Sequence, residues 1–137
     1  MGEMSVLLVD DEKDFLEVLA KRLRKRKLNL VVANNGEEAI GAIQSTQIDV
    51  VVLDMRMPQM DGLQTLREIK RIKPLVEVIM LTGHANVDTA VKGMELGAFD
   101  YLMKPVDIDE LLYKLQDAFK KKAMSEPRSE KAGLAND

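Results

Sequence analysis

Five polar side chains able to perform chemistry follow short apolar runs of the sequence. They are three carboxylates, a hydroxyl and an ammonium: Asp10, Asp11, Asp54, Thr82 and Lys104. Carboxylates held together repel one another, and one shifts toward protonation unless a cation lies between them. Oxygen ligands in a chain without cysteine favour a hard cation, Mg²⁺ or Mn²⁺. A hydroxyl and an ammonium beside it suit phosphoryl oxygens, which predicts a metal-assisted phosphoryl site with a carboxylate nucleophile.

These side chains can meet only if the apolar runs are strands of one parallel sheet. The runs cover residues 5–9, 30–33, 50–54, 78–81 and 101–103, and an amphipathic helical pattern follows each of them. Strict alternation of strands and helices predicts an α/β fold, a doubly wound five-stranded parallel sheet with right-handed crossovers. The carboxyl ends of its strands share one edge, which is where open α/β sheets bind ligands.

The run before Asp54 is the centre of this pattern. Four consecutive apolar residues, three of them β-branched, indicate a strand that is buried on both faces. A lone Asp at a strand end is often a helix cap, but Asp61 is better placed to cap the following helix, with Gln64 as its partner. Asn35 with Glu38 and Asp107 with Glu110 mark two more helix starts, and Asn86 a fourth. Pro74 and Gly97 mark helix ends.

Composition argues against several other kinds of protein. A net charge of −3 and the absence of cysteine disfavour general nucleic-acid binding, disulfides and thiolate metal sites. The basic run at 21–27 is interpreted as a solvated helix end. No apolar run reaches the roughly 18 residues of a membrane span, and the start lacks a signal peptide, so a cytoplasmic protein without membrane association is predicted. We expect one domain over 1–122 and a disordered tail or truncated linker over 123–137.

From residue 5 to about 121 the sequence resembles a response-regulator receiver domain of bacterial two-component signalling. Its motifs are closest to those of receivers of transcription regulators. The motifs are Val9-Asp10-Asp11, Leu53-Asp54-Met55-Arg56-Met57-Pro58, Asp61-Gly62, Leu81-Thr82-Gly83 and Tyr101-Leu102-Met103-Lys104-Pro105. Each motif is weak alone, whereas five in this order at predicted strand ends are specific. The resemblance implies the flavodoxin-like (βα)5 fold with strand order 2-1-3-4-5.

The resemblance also implies a role for each site residue. Asp54 would accept a phosphoryl group from a sensor histidine kinase or a phosphotransfer protein. Asp11, Asp54 and the backbone carbonyl of Arg56 would bind Mg²⁺ (or Mn²⁺) directly, and Asp10 would act mainly through water. Thr82 and Lys104 would bind phosphoryl oxygens and thereby gain a partner that they lack before phosphorylation. A cis Lys104–Pro105 peptide bond is expected, against about 5–6% for X–Pro bonds generally.

The implied function is a signalling switch that catalyses only its own phosphotransfer and slow dephosphorylation. Tyr101 would turn inward as Thr82 moves toward the phosphate, changing the face of the fourth helix, fifth strand and fifth helix. That face would contact an output partner or form a homodimer, with no direct nucleic-acid contact by this chain. Arg56 and His84 are possible modulators of hydrolysis; His84 could also be a second phosphorelay site or merely exposed.

Other interpretations of the same residues stay open. Taken singly, Asp10 or Asp11 could cap the first helix, Thr82 could be an ordinary strand-end residue, Lys104 could be solvated, and Tyr101 could simply pack. A magnesium phosphohydrolase of the haloacid-dehalogenase kind needs a second Asp two residues after its nucleophile, where this chain has Arg56. A DNA-binding regulator would need a domain beyond Phe119. A phosphate-independent scaffold would not need the complete set of five polar side chains.

Overall fold

The computed structural model describes residues 3–56, 61–83 and 87–126. Its five strands and five helices alternate along the chain: β1 Ser5–Val9, α1 Lys13–Arg24, β2 Asn29–Ala33, α2 Gly36–Ser45, β3 Val50–Asp54, α3 Gly62–Ile72, β4 Glu77–Thr82, α4 Val87–Glu95, β5 Asp100–Met103 and α5 Ile108–Ser125. All strand pairs are parallel, in the order β2-β1-β3-β4-β5. The predicted fold class and strand order are confirmed. Among the described helices, none is both long and apolar enough to cross a bilayer.

The central strand β3 is buried along its whole length, as its apolar sequence predicts. Its side chains alternate between two cores. Val51 and Leu53 pack with α2 and α3 on one face, while Val50 and Val52 pack with α1 and α5 on the other. This double cover fixes the register of β3, because a shift of one residue would move each side chain to the opposite face of the sheet.

The register of the sheet aligns the strand ends. Val9 lies opposite Leu53, and Asp54 lies opposite Leu81. The residue after β1 is therefore level with Asp54, and Thr82 is one step further along β4. Thr82 in turn pairs with Met103 on β5, directly before Lys104. The hydrogen-bonded register thus brings residues far apart in sequence to one edge of the sheet.

Side-chain caps fix the helix starts near that edge. Asp61 and Gln64 form a complete capping box, Asn35 accepts a hydrogen bond from the Glu38 amide, and Asp107 accepts from the amide of Glu110. A Cβ atom at Gly62 would lie 2.4 Å from the Cα of Met55, so only glycine allows α3 to begin against the chain leaving β3. Gly97 has a φ of +103°, the left-handed conformation expected after α4.

The C-terminal helix continues beyond the predicted domain boundary at residue 122. It ends at Ser125, so residues 123–125 are helical rather than part of a disordered tail. Ion pairs that the sequence does not reveal hold its last turns: Lys122 Nζ lies 3.1 Å from Asp49, and Lys121 Nζ lies 3.2 Å from Glu77. The predictions for Pro58, His84, Asn86 and the tail from 127 to 137 fall outside the described residues.

Candidate metal and phosphoryl site

Three carboxylates form the centre of the site. Oxygens of Asp10, Asp11 and Asp54 all lie within 4.8 Å of one another. Asp10 and Asp54 are buried, whereas Asp11 is exposed. Because every donor in this cluster is a carboxylate oxygen, the residues fit a hard divalent cation such as Mg²⁺.

Backbone amides orient the two buried carboxylates. The Glu12 amide donates to Asp10 Oδ1 over 2.9 Å, and the Arg56 amide donates to Asp54 Oδ1 over 3.1 Å. The interpretation of Asp10 or Asp11 as the cap of α1 is wrong, because Glu12 is the N-cap residue and Asp10 accepts the Glu12 amide instead. Each Asp uses one oxygen locally and has further lone pairs for another ligand.

Burial raises the pKa of Asp54 from its usual 3.8 to about 6. The Arg56 amide and the Lys104 charge oppose that rise, while the neighbouring charge of Asp10 adds to it. A cation between the two carboxylates would relieve the repulsion from Asp10, which is a smaller cause of the raised pKa than burial.

Lys104 reaches this cluster from the end of β5. Its Nζ lies 3.0 Å from Asp10 Oδ2 and 3.6 Å from Asp54 Oδ1. It also lies 3.4 Å from Glu12 Oε1 and 4.5 Å from the ring centroid of Phe15. Burial alone would lower the Lys104 pKa, but these carboxylates raise it overall. The expectation that Lys104 lacks a partner before phosphorylation is therefore wrong, because unphosphorylated carboxylates already attract the ammonium.

Thr82 is buried at the end of β4, but its hydroxyl is directed toward β5. It donates a weak hydrogen bond to Met103 Sδ over 3.9 Å. A cavity of about 130 Å³ lies beside it, lined by α4, Tyr101 and Met103. The Tyr101 side chain is 43% exposed rather than packed into that cavity. The hydroxyl and the ring thus border one cavity, and the alternative of a simply packed Tyr101 does not describe this conformation.

Three further residues predicted for the site are Pro105, Arg56 and His84. The Lys104–Pro105 peptide bond is cis, as predicted. Arg56 is exposed beside Asp54, and His84 is outside the described residues. A cavity of about 550 Å³ lies at the opposite edge of the sheet around the ends of α2 and α3.

Glu12 and Phe15 were missed by sequence reasoning. Phe15 fits the apolar stripe of α1, and Glu12 directly follows the two predicted site residues Asp10 and Asp11. Their spacing of three residues at a helix start places them on one face, which was the available signal. No local sequence signal connects either residue with Lys104, which is 92 residues from Glu12.

Comparison with known proteins agrees with this geometry. The profile of the response regulator receiver domain matches residues 6–116. The chain belongs to this family. Receiver domains of response regulators act in two-component systems, where they take phosphoryl groups from histidine kinases and generally bind Mg²⁺ at an acidic pocket. The recognition made from the sequence motifs is thereby confirmed.

Two regulatory proteins are similar in sequence to most of this receiver domain. The transcriptional regulatory protein ZraR of Klebsiella oxytoca is 38% identical over 124 residues, which are 90% of this chain and 28% of ZraR. The regulatory protein AtoC of Escherichia coli is 38% identical over 119 residues, 87% of this chain and 26% of AtoC. The chain thus spans about a quarter of the length of these relatives.

Solved receiver domains share its structure over most of their length. A receiver domain protein from Clostridium thermocellum superposes with a TM-score of 0.85 at 36% identity, covering 88% of this chain and 98% of that chain. The receiver domain of NtrX from Brucella abortus gives 0.79 at 33% identity, covering 84% and 98%.

Proposed function

We propose that this receiver domain is a phospho-accepting switch in which Asp54 takes a phosphoryl group from a sensor histidine kinase or a phosphotransfer protein. An Asp54 carboxylate oxygen attacks phosphorus, the O–P bond forms, and the N–P bond of phosphohistidine breaks. The histidine nitrogen keeps the electron pair. The observation that carries this assignment is the buried Asp54 carboxylate among Asp10, Asp11 and Lys104 at the sheet edge.

The carboxylate cluster supports a metal in this proposal. Asp11, Asp54 and the backbone carbonyl of Arg56 would hold Mg²⁺ or Mn²⁺ directly, with Asp10 acting mainly through water. When bound, the cation supplies charge neutralisation for the phosphoryl oxygens. The pairing of Asp10 with Lys104 at 3.0 Å keeps the ammonium close to the Asp54 carboxylate, whose Oδ1 is 3.6 Å away.

Thr82 and Tyr101 are proposed to pass the change to the surface. An acyl phosphate adds about −1.5 to −2 charge and strong acceptor oxygens. The Thr82 hydroxyl has only the sulfur of Met103 as its described partner, so an anionic oxygen is a much stronger acceptor for it. Movement of Thr82 toward Asp54 would open space in the 130 Å³ cavity for the Tyr101 ring.

The surface that changes is the α4–β5–α5 face. It exposes apolar side chains on all three elements, namely Val87, Val91, Met94, Tyr101 and Tyr113. Such a patch suits a protein contact, either a homodimer or an output partner. In this proposal the chain makes no direct nucleic-acid contact, works in the cytoplasm away from membranes, and catalyses only its own phosphotransfer and slow dephosphorylation.

Incubation with acetyl phosphate and Mg²⁺ tests the proposal. Intact mass spectrometry is expected to show a single phosphoryl addition, and peptide mapping after borohydride reduction is expected to place it on Asp54. Omission of Mg²⁺ should leave the protein unmodified. A phosphoryl group on His84 or on any other residue would refute the assignment.

Removing the Thr82 hydroxyl should separate phosphorylation from its structural effect. We expect Thr82→Ala to accept the phosphoryl group, yet to lose most of the Tyr101 ring shift seen by NMR on adding beryllofluoride and Mg²⁺. Thr46→Ala, an exposed threonine after α2, is the matched control and should keep the full shift. An unchanged Tyr101 response in Thr82→Ala would show that another group carries the signal.

A further inference from the structure

We propose that Glu12 and Phe15 form a cradle for the Lys104 ammonium that opposes its transfer to the phosphoryl group. The cradle would set how readily the receiver domain enters its active state. This inference rests on the proposed phosphoryl site, and it adds two positioning residues outside the carboxylate cluster.

Two contacts define the cradle. The Lys104 Nζ lies 3.4 Å from Glu12 Oε1 and 4.5 Å from the centroid of the Phe15 ring. An ammonium within about 6 Å of a ring centroid is attracted by the negative face of the ring. A carboxylate and a ring thus hold the ammonium from α1, while Asp10 and Asp54 attract it from the strands.

The backbone places both cradle residues firmly. The Glu12 amide donates to Asp10 Oδ1, and the Glu12 carbonyl accepts the Leu16 amide over 3.0 Å in the first turn of α1. Phe15 lies in the same turn and packs against the apolar core between α1 and α5. Lys104 is fixed at the other side by its amide, which donates to the Thr82 carbonyl over 2.8 Å.

The ammonium has three N–H donors, and four acceptors surround it. Asp10, Asp54, Glu12 and the ring of Phe15 already compete for them. A phosphoryl oxygen on Asp54 must therefore draw the ammonium away from some of these contacts. The two contacts from α1 are the ones to weaken, because the Glu12 side chain is 67% exposed and neither Glu12 nor Phe15 belongs to the metal cluster.

Weakening the cradle should make activation easier. An ion pair with an exposed carboxylate such as Glu12 and a cation–π contact with a partly buried ring such as Phe15 each change an equilibrium constant by about two- to fivefold. We expect Glu12→Gln and Phe15→Leu each to tighten beryllofluoride binding at saturating Mg²⁺ by about threefold. The double variant should gain about tenfold.

The matched control is Asp14→Asn, which removes a neighbouring acid of α1 that makes no ion pair with Lys104 among the described residues. It should change beryllofluoride affinity by less than twofold. In a Lys104→Met background, Glu12→Gln should have no effect on that affinity. Equal effects of Glu12→Gln and Asp14→Asn, or an undiminished effect without Lys104, would mean that general charge rather than the cradle is responsible.

The side-chain NMR signals of Lys104 test the cradle independently of phosphorylation chemistry. In ligand-free protein, Glu12→Gln should shift the Lys104 ε-carbon and ammonium signals, and Phe15→Leu should remove their upfield ring-current shift. In the beryllofluoride complex the Glu12→Gln and wild-type signals should coincide. Unchanged Lys104 signals in ligand-free Glu12→Gln would overturn the cradle. Failure of wild-type protein to bind beryllofluoride would instead overturn the phosphoryl site.

Discussion

Asp54→Asn is expected to abolish phosphorylation by acetyl phosphate or by a cognate kinase. An amide oxygen is a far weaker nucleophile than a carboxylate, and an amide is not an anionic metal ligand. Loss of a nucleophile commonly lowers the rate by about 10³-fold or more, so the modification should fall below detection. The substitution keeps the side-chain volume and an acceptor for the Arg56 amide, so the variant should remain folded.

Asp49→Asn is the matched control for this variant. Asp49 is also buried and precedes the same strand, but it lies at the opposite edge, where it accepts from the Ser5 amide and pairs with Lys122. We expect it to lose some stability and to keep phosphorylation of Asp54. Continued phosphorylation of Asp54→Asn to the wild-type extent would exclude Asp54 as the acceptor.

In the metal-free protein, the contribution of Asp54 to the free energy of unfolding is expected to fall as the pH rises from about 4 to 7. Because the pKa of Asp54 is about 6 in the folded protein and 3.8 normally, the folded state binds the proton more tightly than the unfolded chain. This contribution is complete below about pH 4 and is lost as the pH passes through 6. A shift of this size corresponds to about 1–3 kcal/mol.

Urea unfolding of wild type and Asp54→Asn at pH 5 and pH 7.5 measures this effect. The difference in unfolding free energy between the two proteins isolates Asp54 from the other titrating groups. Without metal, Asp54→Asn should be relatively more stable at pH 7.5, and millimolar Mg²⁺ should reverse the order by stabilising only the wild type. An absence of any Mg²⁺ effect on the wild type would contradict the metal assignment.

The fold was predictable because the informative residues are local. Apolar runs that end on Asp10, Asp54, Thr82 and Lys104 specify buried parallel strands, and parallel strands bring their carboxyl ends together. Capping residues such as Asp61 specify where the helices begin. The proximity of the three aspartates therefore follows from topology, and the structure adds the distances.

Features that depend on tertiary contacts were not predictable in this way. Lys104 contacts Glu12 and Phe15. From the sequence alone, Glu12 is expected to be a solvated residue at a helix start and Phe15 a core residue. The last turn of α5 depends on Lys122 meeting Asp49 across the domain. The direction of the Thr82 hydroxyl depends on the rotamer of its side chain. The sequence does not show that this rotamer places the hydroxyl against Met103 Sδ.

Hydrogen exchange with and without beryllofluoride and Mg²⁺ tests the switch most directly. Exchange should change in α4 and β5 and at the start of α5, because Thr82 and Lys104 connect Asp54 with these elements. A bias of about 1–3 kcal/mol is expected, which shifts a mixed population. Helix α2 and the basic end of α1 at 21–27 should stay unchanged. With Asp54 occupied, changes confined to those two regions, or spread evenly over the domain, would contradict the account.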